Sequence, residues 1–114
     1  MVYFVIMEGM RIRHTVIFKF YETTTDEQIS DVISRINDMG EYLQRELGVT
    51  DWIVARHITE TFKKGRADLI QDGIFPSVES LKNHAESETH KRVVELTPKV
   101  CDWMTVDTVV PDSL

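Results

Sequence analysis

Apolar and polar residues alternate along residues 11–20, which read RIRHTVIFKF. The even-numbered side chains from Ile12 to Phe20 share one side at a period of two, and all of them except His14 are apolar. β-Branched and aromatic residues dominate, which is typical of a strand. This stretch therefore predicts a first strand with one strongly apolar face and one mixed face.

The apolar spacing then changes to that of a helix. We expect a helix from about residue 26 to the region of residue 38, with an acidic first turn. Gly40 is a candidate break, with residues 41–47 as a second turn or a continuation, and Gly48 fits a C-terminal stop. Two overlapping capping boxes fit the start of this helix: Thr24 with Glu27, or Thr25 with Gln28.

Three further strands are predicted, over residues 49–58, 67–75 and 103–110. The alternation of the middle one is imperfect, and Gly73 marks either a bulge or a close approach of another chain segment. An exposed hairpin near residues 63–65 would join the first two of these strands.

A divided helix is predicted between the last two strands. Ser77 fits the N-cap of a helix over residues 78–85, and Ser87 fits the cap of a second segment after a break at residues 86–87. Pro98 has no amide hydrogen to donate, so this segment either kinks there or restarts with Thr97 as its cap.

The resulting order, βαββαβ, predicts a ferredoxin-like α+β fold with one four-stranded antiparallel sheet. Two helices cover only one face of such a sheet. The other face retains apolar residues, among them Ile17, Met104 and Val106. Because an uncovered apolar face is unfavourable, we expect a homodimer that stacks the two open sheet faces.

Composition and charge narrow the class of partner. The 114 residues suit one domain, and 13 Lys and Arg against 19 Asp and Glu give a net charge of −6. That charge repels a phosphate backbone, so no nucleic-acid partner is expected. The one cysteine, Cys101, closes no internal disulfide, which together with the composition predicts a cytoplasmic protein.

The first ten residues are a separate question. Their apolar run, residues 2–7, is too short for a membrane span of about 20 residues and lacks the marks of a signal peptide, so no membrane association is expected. We expect residues 1–10 to be an N-terminal extension or a start-site artefact, with Met10 as the true initiator in the latter case. Residues 11–110 would form the domain, and residues 111–114 a C-terminal tail.

Histidines are the candidate chemistry, because no phosphate loop, nucleophile elbow or zinc motif is present. His14 lies on the apolar side of the first strand, as either a satisfied core residue or a pocket residue. His90 falls in the first turn after Ser87, where free amides disfavour an imidazolium while nearby glutamates favour it. His84 lies six residues earlier, a spacing that does not favour joint metal binding on one helix face, so no metal site is predicted.

Several segments together resemble the stress-responsive α/β-barrel domain family, often called Dabb. Arg13 to Phe20 resembles its opening strand, and residues 87–90 (SETH) resemble its His-Pro-x-His segment. The resemblance covers about residues 11–108, and its weaker landmarks occur in the family's order: Gly48-Val49, residues 55–59, Asp68, Phe75, Leu81, Leu96, Pro98 and Val106-Asp107.

The resemblance implies a ferredoxin-like monomer and a dimer whose sheets form an α/β barrel. In members that act as polyketide cyclases, the histidine matching His90 is a general base in an aldol-type ring closure, and the one matching His14 lines the same pocket. A family tyrosine six residues before that base is replaced here by His84. This departure places the cyclase reaction itself in question, although an imidazole can also donate a hydrogen bond.

The residues leave open whether the chain is an enzyme. The first hypothesis is cofactor-independent, cyclase- or lyase-like acid–base chemistry on an apolar carbonyl compound, with His90 and His14 as catalytic residues. The compound would be bound by His84, Val16, Phe18, Val93 and Trp103. The first alternative is a non-catalytic dimeric binding or stress-associated module with structural histidines. The second is an oxygenase of the dimeric ferredoxin-like group.

Overall fold

The computed structural model describes residues 9–58 and 67–111, so the expected hairpin near residues 63–65 and most of both termini lie outside the described residues. The expected βαββαβ order is confirmed, with the second helix divided in two. The strands are β1 (Ile12–Phe20), β2 (Thr50–Arg56), β3 (Leu69–Phe75) and β4 (Cys101–Val109). The helices are α1 (Asp26–Glu46), α2 (Val78–Glu86) and α3 (Glu88–Val100).

The four strands form one antiparallel sheet in the order β2-β3-β1-β4. Strand β1 lies in the interior of the sheet between β3 and β4, and its side chains alternate between buried and half-buried along the whole strand. The buried side faces the helices and carries His14, Val16 and Phe18. The period-two pattern of residues 11–20 therefore assigns each side chain to the expected face.

Helix α1 begins at a capping box and passes the candidate break without interruption. Thr25 accepts from the backbone amide of Gln28, and the Gln28 side chain accepts from the amide of Thr25. Gly40 lies inside the helix. A Cβ at this position would overlap the indole ring of Trp52, which explains why the residue is glycine. Gly48, at φ +70°, follows the Leu47 cap as the expected stop.

The break between α2 and α3 falls where the two serines predicted it. Ser77 accepts from the amide of Ser80, and Ser87 accepts from the amide of His90. Pro98 lies within α3, so the alternative of a restart capped by Thr97 is wrong. Thr97 is instead a buried helical residue whose carbonyl accepts the amide of Cys101, which completes the last turn.

The irregularity of the sheet lies in β2 rather than at Gly73. The pairing shifts between Thr50 and Ile53, and Asp51 has a φ of +51°. Trp52 fits against glycines, since a Cβ at either Gly40 or Gly73 would overlap its ring. Gly73 therefore marks a close approach, and the bulge belongs to the neighbouring strand.

The core lies between the three helices and the covered face of the sheet, and the opposite face is open in one chain. Met104 is 64% exposed, Ile53 49% and Val106 44%, while Ile17 between them is half-buried. A polar pair interrupts this apolar surface: Asp72 is buried and accepts from Arg13 Nη1 and Thr15 Oγ1, both at 2.5 Å. The open face thus combines exposed apolar side chains with one fixed ion pair.

Candidate active site

A cavity of about 80 Å³ lies between the covered face of the sheet and the helices. Trp103 on β4 and Val94 on α3 line it and are 46% and 40% exposed, so the cavity opens to solvent between α3 and the edge strand. The structure places all seven side chains that the sequence suggested around this one cavity: His14, Val16, Phe18, His84, His90, Val93 and Trp103.

Strand register explains how these side chains converge. Phe18 pairs with Trp103, Val16 with Thr105, and His14 with Asp107, so the covered face of β1 continues into β4. The helices bring His84 from the last turn of α2 and His90 from the first turn of α3. The break at Ser87 turns the chain between the two histidines, which allows residues six apart to line the same cavity.

His14 is held by a carboxylate. Its Nδ1 lies 2.5 Å from Oδ1 of Asp107, and its ring makes an edge contact with Phe75 at a centroid distance of 5.6 Å. A carboxylate oxygen accepts hydrogen bonds, so Nδ1 carries a hydrogen, and in the neutral ring the lone pair is on Nε2. The pair therefore presents a proton acceptor at Nε2.

His84 is the most deeply buried of the three histidines, at 2% exposure. Its Nδ1 has no hydrogen-bond partner. Burial, followed by repulsion from His90 and from His14, lowers its pKa from 6.5 to about 3. The ring is therefore neutral at physiological pH, with one N–H available to donate.

His90 stands next to His84, with their ring centroids 4.8 Å apart and nearly perpendicular. Partial burial lowers the pKa of His90, a hydrogen bond to the backbone of Ala85 opposes that change, and His14 adds to the lowering. His14 and His84 are 5.5 Å apart, so the three imidazoles form a continuous series along the cavity. Each of these rings can accept or donate a proton.

The sequence analysis missed four polar residues that belong to the site. Asp107 had appeared only as a landmark of the family resemblance, although its alternation with Trp103 in β4 places both on one face. Asp107 belongs to the site through its contact with His14, whereas Gln71, Thr97 and Thr105 line the cavity directly. Gln71 falls in the strand whose alternation was imperfect, so its sequence pattern carried no signal for the covered face.

Two kinds of site are absent from the described part of the chain. Within residues 9–58 and 67–111, no group of three or more His, Cys, Asp or Glu side chains is arranged to hold a metal ion. None of the helices described is long and apolar enough to cross a membrane.

Residues 12–110 match the family model described as "Stress responsive A/B Barrel Domain", Dabb. No curated protein shows significant similarity to the sequence. Among solved structures, a dimeric ferredoxin-like protein of unknown function from Thermobifida fusca matches with 16% identity and a TM-score of 0.76, over 90% of this chain and 92% of that one.

Two more solved structures share the fold. The hydroxynitrile lyase from Passiflora edulis is 14% identical, with a TM-score of 0.70 over 93% of this chain and 98% of that chain. A Dabb family protein from Mesorhizobium loti is 18% identical, with a TM-score of 0.64 over 89% and 97%. Identities this low establish only the shared fold. The match over residues 12–110 shows the family. The chain therefore belongs to the stress-responsive A/B barrel, or Dabb, family.

Proposed function

We propose that this protein is a homodimeric, cofactor-independent lyase- or cyclase-like enzyme acting on a small uncharged carbonyl compound. The observation that carries the proposal is the series of three imidazoles along one cavity, with His14 fixed by Asp107. The structural similarity to a hydroxynitrile lyase supports the proposal in one respect, because it indicates that this fold is compatible with lyase activity.

The three histidines differ in what they can do. His90 has a lowered pKa and is neutral near pH 7, so it can take a proton from the carbon next to a carbonyl. The electron pair of the broken C–H bond is then shared with the carbonyl oxygen, which gives an enolate. His84, also neutral, has one N–H that can donate to the enolate oxygen.

His14 is suited to accepting rather than donating. With Nδ1 bonded to Asp107, its Nε2 lone pair can hold the hydrogen of a ligand hydroxyl. Of His14 and His84, His84 is therefore the better donor of a hydrogen bond to the enolate oxygen. The apolar body of the compound would contact Val16, Phe18 and Val93, which line the same cavity.

The homodimer is supported by the open face and by the relatives. Met104, Val106 and Ile53 are large apolar side chains that one chain leaves exposed. Three of the similar solved structures are described as dimeric. Stacking the two open faces would bury this surface, and the Arg13–Asp72 pair would fix the alignment of the sheets.

The competing hypothesis of a non-catalytic module required a cavity filled by side chains such as Phe18 and Trp103. Space of about 80 Å³ beside His14 and His90 argues against that filling. A single water needs only about 10–15 Å³ by this kind of measure, so the cavity is large enough for several waters or a small organic molecule.

The test is hydrogen–deuterium exchange at the carbon next to the carbonyl, followed by NMR in D₂O with a panel of small ketones and aldehydes. The wild-type protein is expected to accelerate exchange of at least one compound. His90→Ala should reduce that acceleration by about 10²- to 10⁴-fold, while His57→Ala, an exposed position outside the cavity, should not change it. No acceleration by the wild type, or an unchanged rate in His90→Ala, would contradict the proposal.

A further inference from the structure

Gln71 occupies a position where the fold needs no polar side chain. It lies in the middle of β3, paired with Val16 in β1 and Val54 in β2, on the face covered by the helices. Only 2% of the residue is exposed. Leu69 and Phe75 are also buried in this strand, so packing alone would favour an apolar residue at position 71.

The amide of Gln71 has no hydrogen-bond partner among the residues that the structure describes. A primary amide offers two donors and an acceptor, and burying such a group unpaired is unfavourable. Buried polar groups in folded proteins are nearly always paired with protein or with ordered water, and a ligand that displaces such a water can take its place. The pairing of Gln71 is therefore to be found in the space next to it.

That space is the histidine cavity. Gln71 lines it together with His84, whose Nδ1 is also unpartnered. None of the residues that line it in the described chain is Lys, Arg, Asp or Glu. A charged ligand group would lose its hydration there without gaining a partner of opposite charge.

We propose that Gln71 is a ligand-recognition residue, whose amide pairs with the carbonyl or hydroxyl oxygen of a small uncharged molecule in this cavity. The inference rests on the proposed function only in placing the ligand in the same cavity. It adds the group that selects the oxygen atom of that ligand, the side-chain amide of Gln71. It requires no proton transfer, so binding alone can test it.

The test compares cyclopentanone with methylenecyclopentane, which differ only by replacement of the carbonyl oxygen with a CH₂ group. Dissociation constants are measured by NMR titration for the wild type and for Gln71→Met, which has a similar volume and no amide. The ratio of ketone affinity to alkene affinity should fall by roughly fivefold in Gln71→Met, as expected for the loss of one hydrogen bond. Gln44→Met, the same substitution at an exposed position outside the cavity, should leave the ratio unchanged.

A stability measurement separates recognition from a structural role. Because the Gln71 amide has no partner within the described protein, Gln71→Met should keep or raise the thermal midpoint. A lower midpoint would show that the amide supports the fold, and it would overturn the inference. An unchanged affinity ratio, or binding of neither compound by the wild type, would overturn it as well. Failure of the exchange experiment with His90→Ala would not, so the two proposals can fail separately.

Discussion

His14 and Asp107 lie directly opposite each other in the antiparallel register of β1 and β4, and Nδ1 of the imidazole is 2.5 Å from Oδ1 of the carboxylate. The two residues are far apart in sequence, yet one ladder of backbone hydrogen bonds fixes both. The sheet register consequently sets the tautomer of the neutral His14 ring, with the hydrogen on Nδ1 and the lone pair on Nε2.

Asp107→Asn should change this tautomer. An amide at this position can donate to Nδ1, which would move the imidazole hydrogen to Nε2 and remove the acceptor. We expect turnover of any substrate found to fall by about 10- to 100-fold, and the ¹⁵N chemical shifts of the His14 ring to exchange their pattern. Retention of the Nδ1–H tautomer in Asp107→Asn would contradict this reading of the pair. Asp102→Asn, on the same strand but outside the cavity, serves as the control.

His84 makes stability depend on pH. In the folded state its pKa is about 3, whereas an unfolded chain has the ordinary value of 6.5. Between these values the unfolded chain binds one more proton, so the free energy of unfolding decreases as pH falls from 6.5. His84 alone should account for a loss of about 2 kcal/mol between pH 6.5 and pH 5, measured by urea unfolding.

The matched variants for this prediction are His84→Phe and His57→Gln. His84→Phe keeps an aromatic ring near Phe75 and His14 and removes the titrating group, so the loss between pH 6.5 and pH 5 should become smaller. His57 is exposed, and His57→Gln should leave the pH dependence as in the wild type. Equal pH slopes in the wild type and His84→Phe would show that His84 is not buried as a neutral ring.

Met104→Lys should convert a dimer to a monomer. Met104 is the most exposed large apolar side chain on the open face, and it pairs with Ile17 in the sheet. Two lysines facing each other across stacked sheets would lose hydration and repel. Sedimentation should give a wild-type dimer at micromolar concentration and a monomer for Met104→Lys. Val94→Lys, on the helical side, should remain dimeric, and a monomeric wild type would contradict the proposed assembly.

Local sequence signals predicted most of the secondary structure. The alternation in β1 and the serines at positions 77 and 87 depend on neighbours within a few residues, and each has the expected role. Gly40 behaves differently, because its helical neighbours suggest a break while a distant indole requires a residue without a Cβ. The contact with Trp52 forms only in the folded sheet, so the local pattern could not reveal it.

In the candidate site, too, some features follow from the local sequence and others depend on the folded sheet. The histidines stood out as unusual residues, and the family resemblance placed two of them in one pocket. The partner of His14 depends on the register between β1 and β4, which is set across the whole domain. Gln71 was harder still to recognise, since a glutamine in a strand is expected to face solvent. Only its pairing with Val16 places it on the covered face of the sheet.

Helix α3 and strand β4 follow each other without a loop, since the helix ends at Val100 and the strand begins at Cys101. The junction is also fastened from outside, because the amide of Tyr21 and the hydroxyl of Thr24 both donate to the Val100 carbonyl, at 3.0 and 2.6 Å. His90 and Asp107 thus lie on a helix and a strand that are joined without a connecting loop. A movement of α3 that widened the cavity to admit a molecule would therefore shift the start of β4 as well.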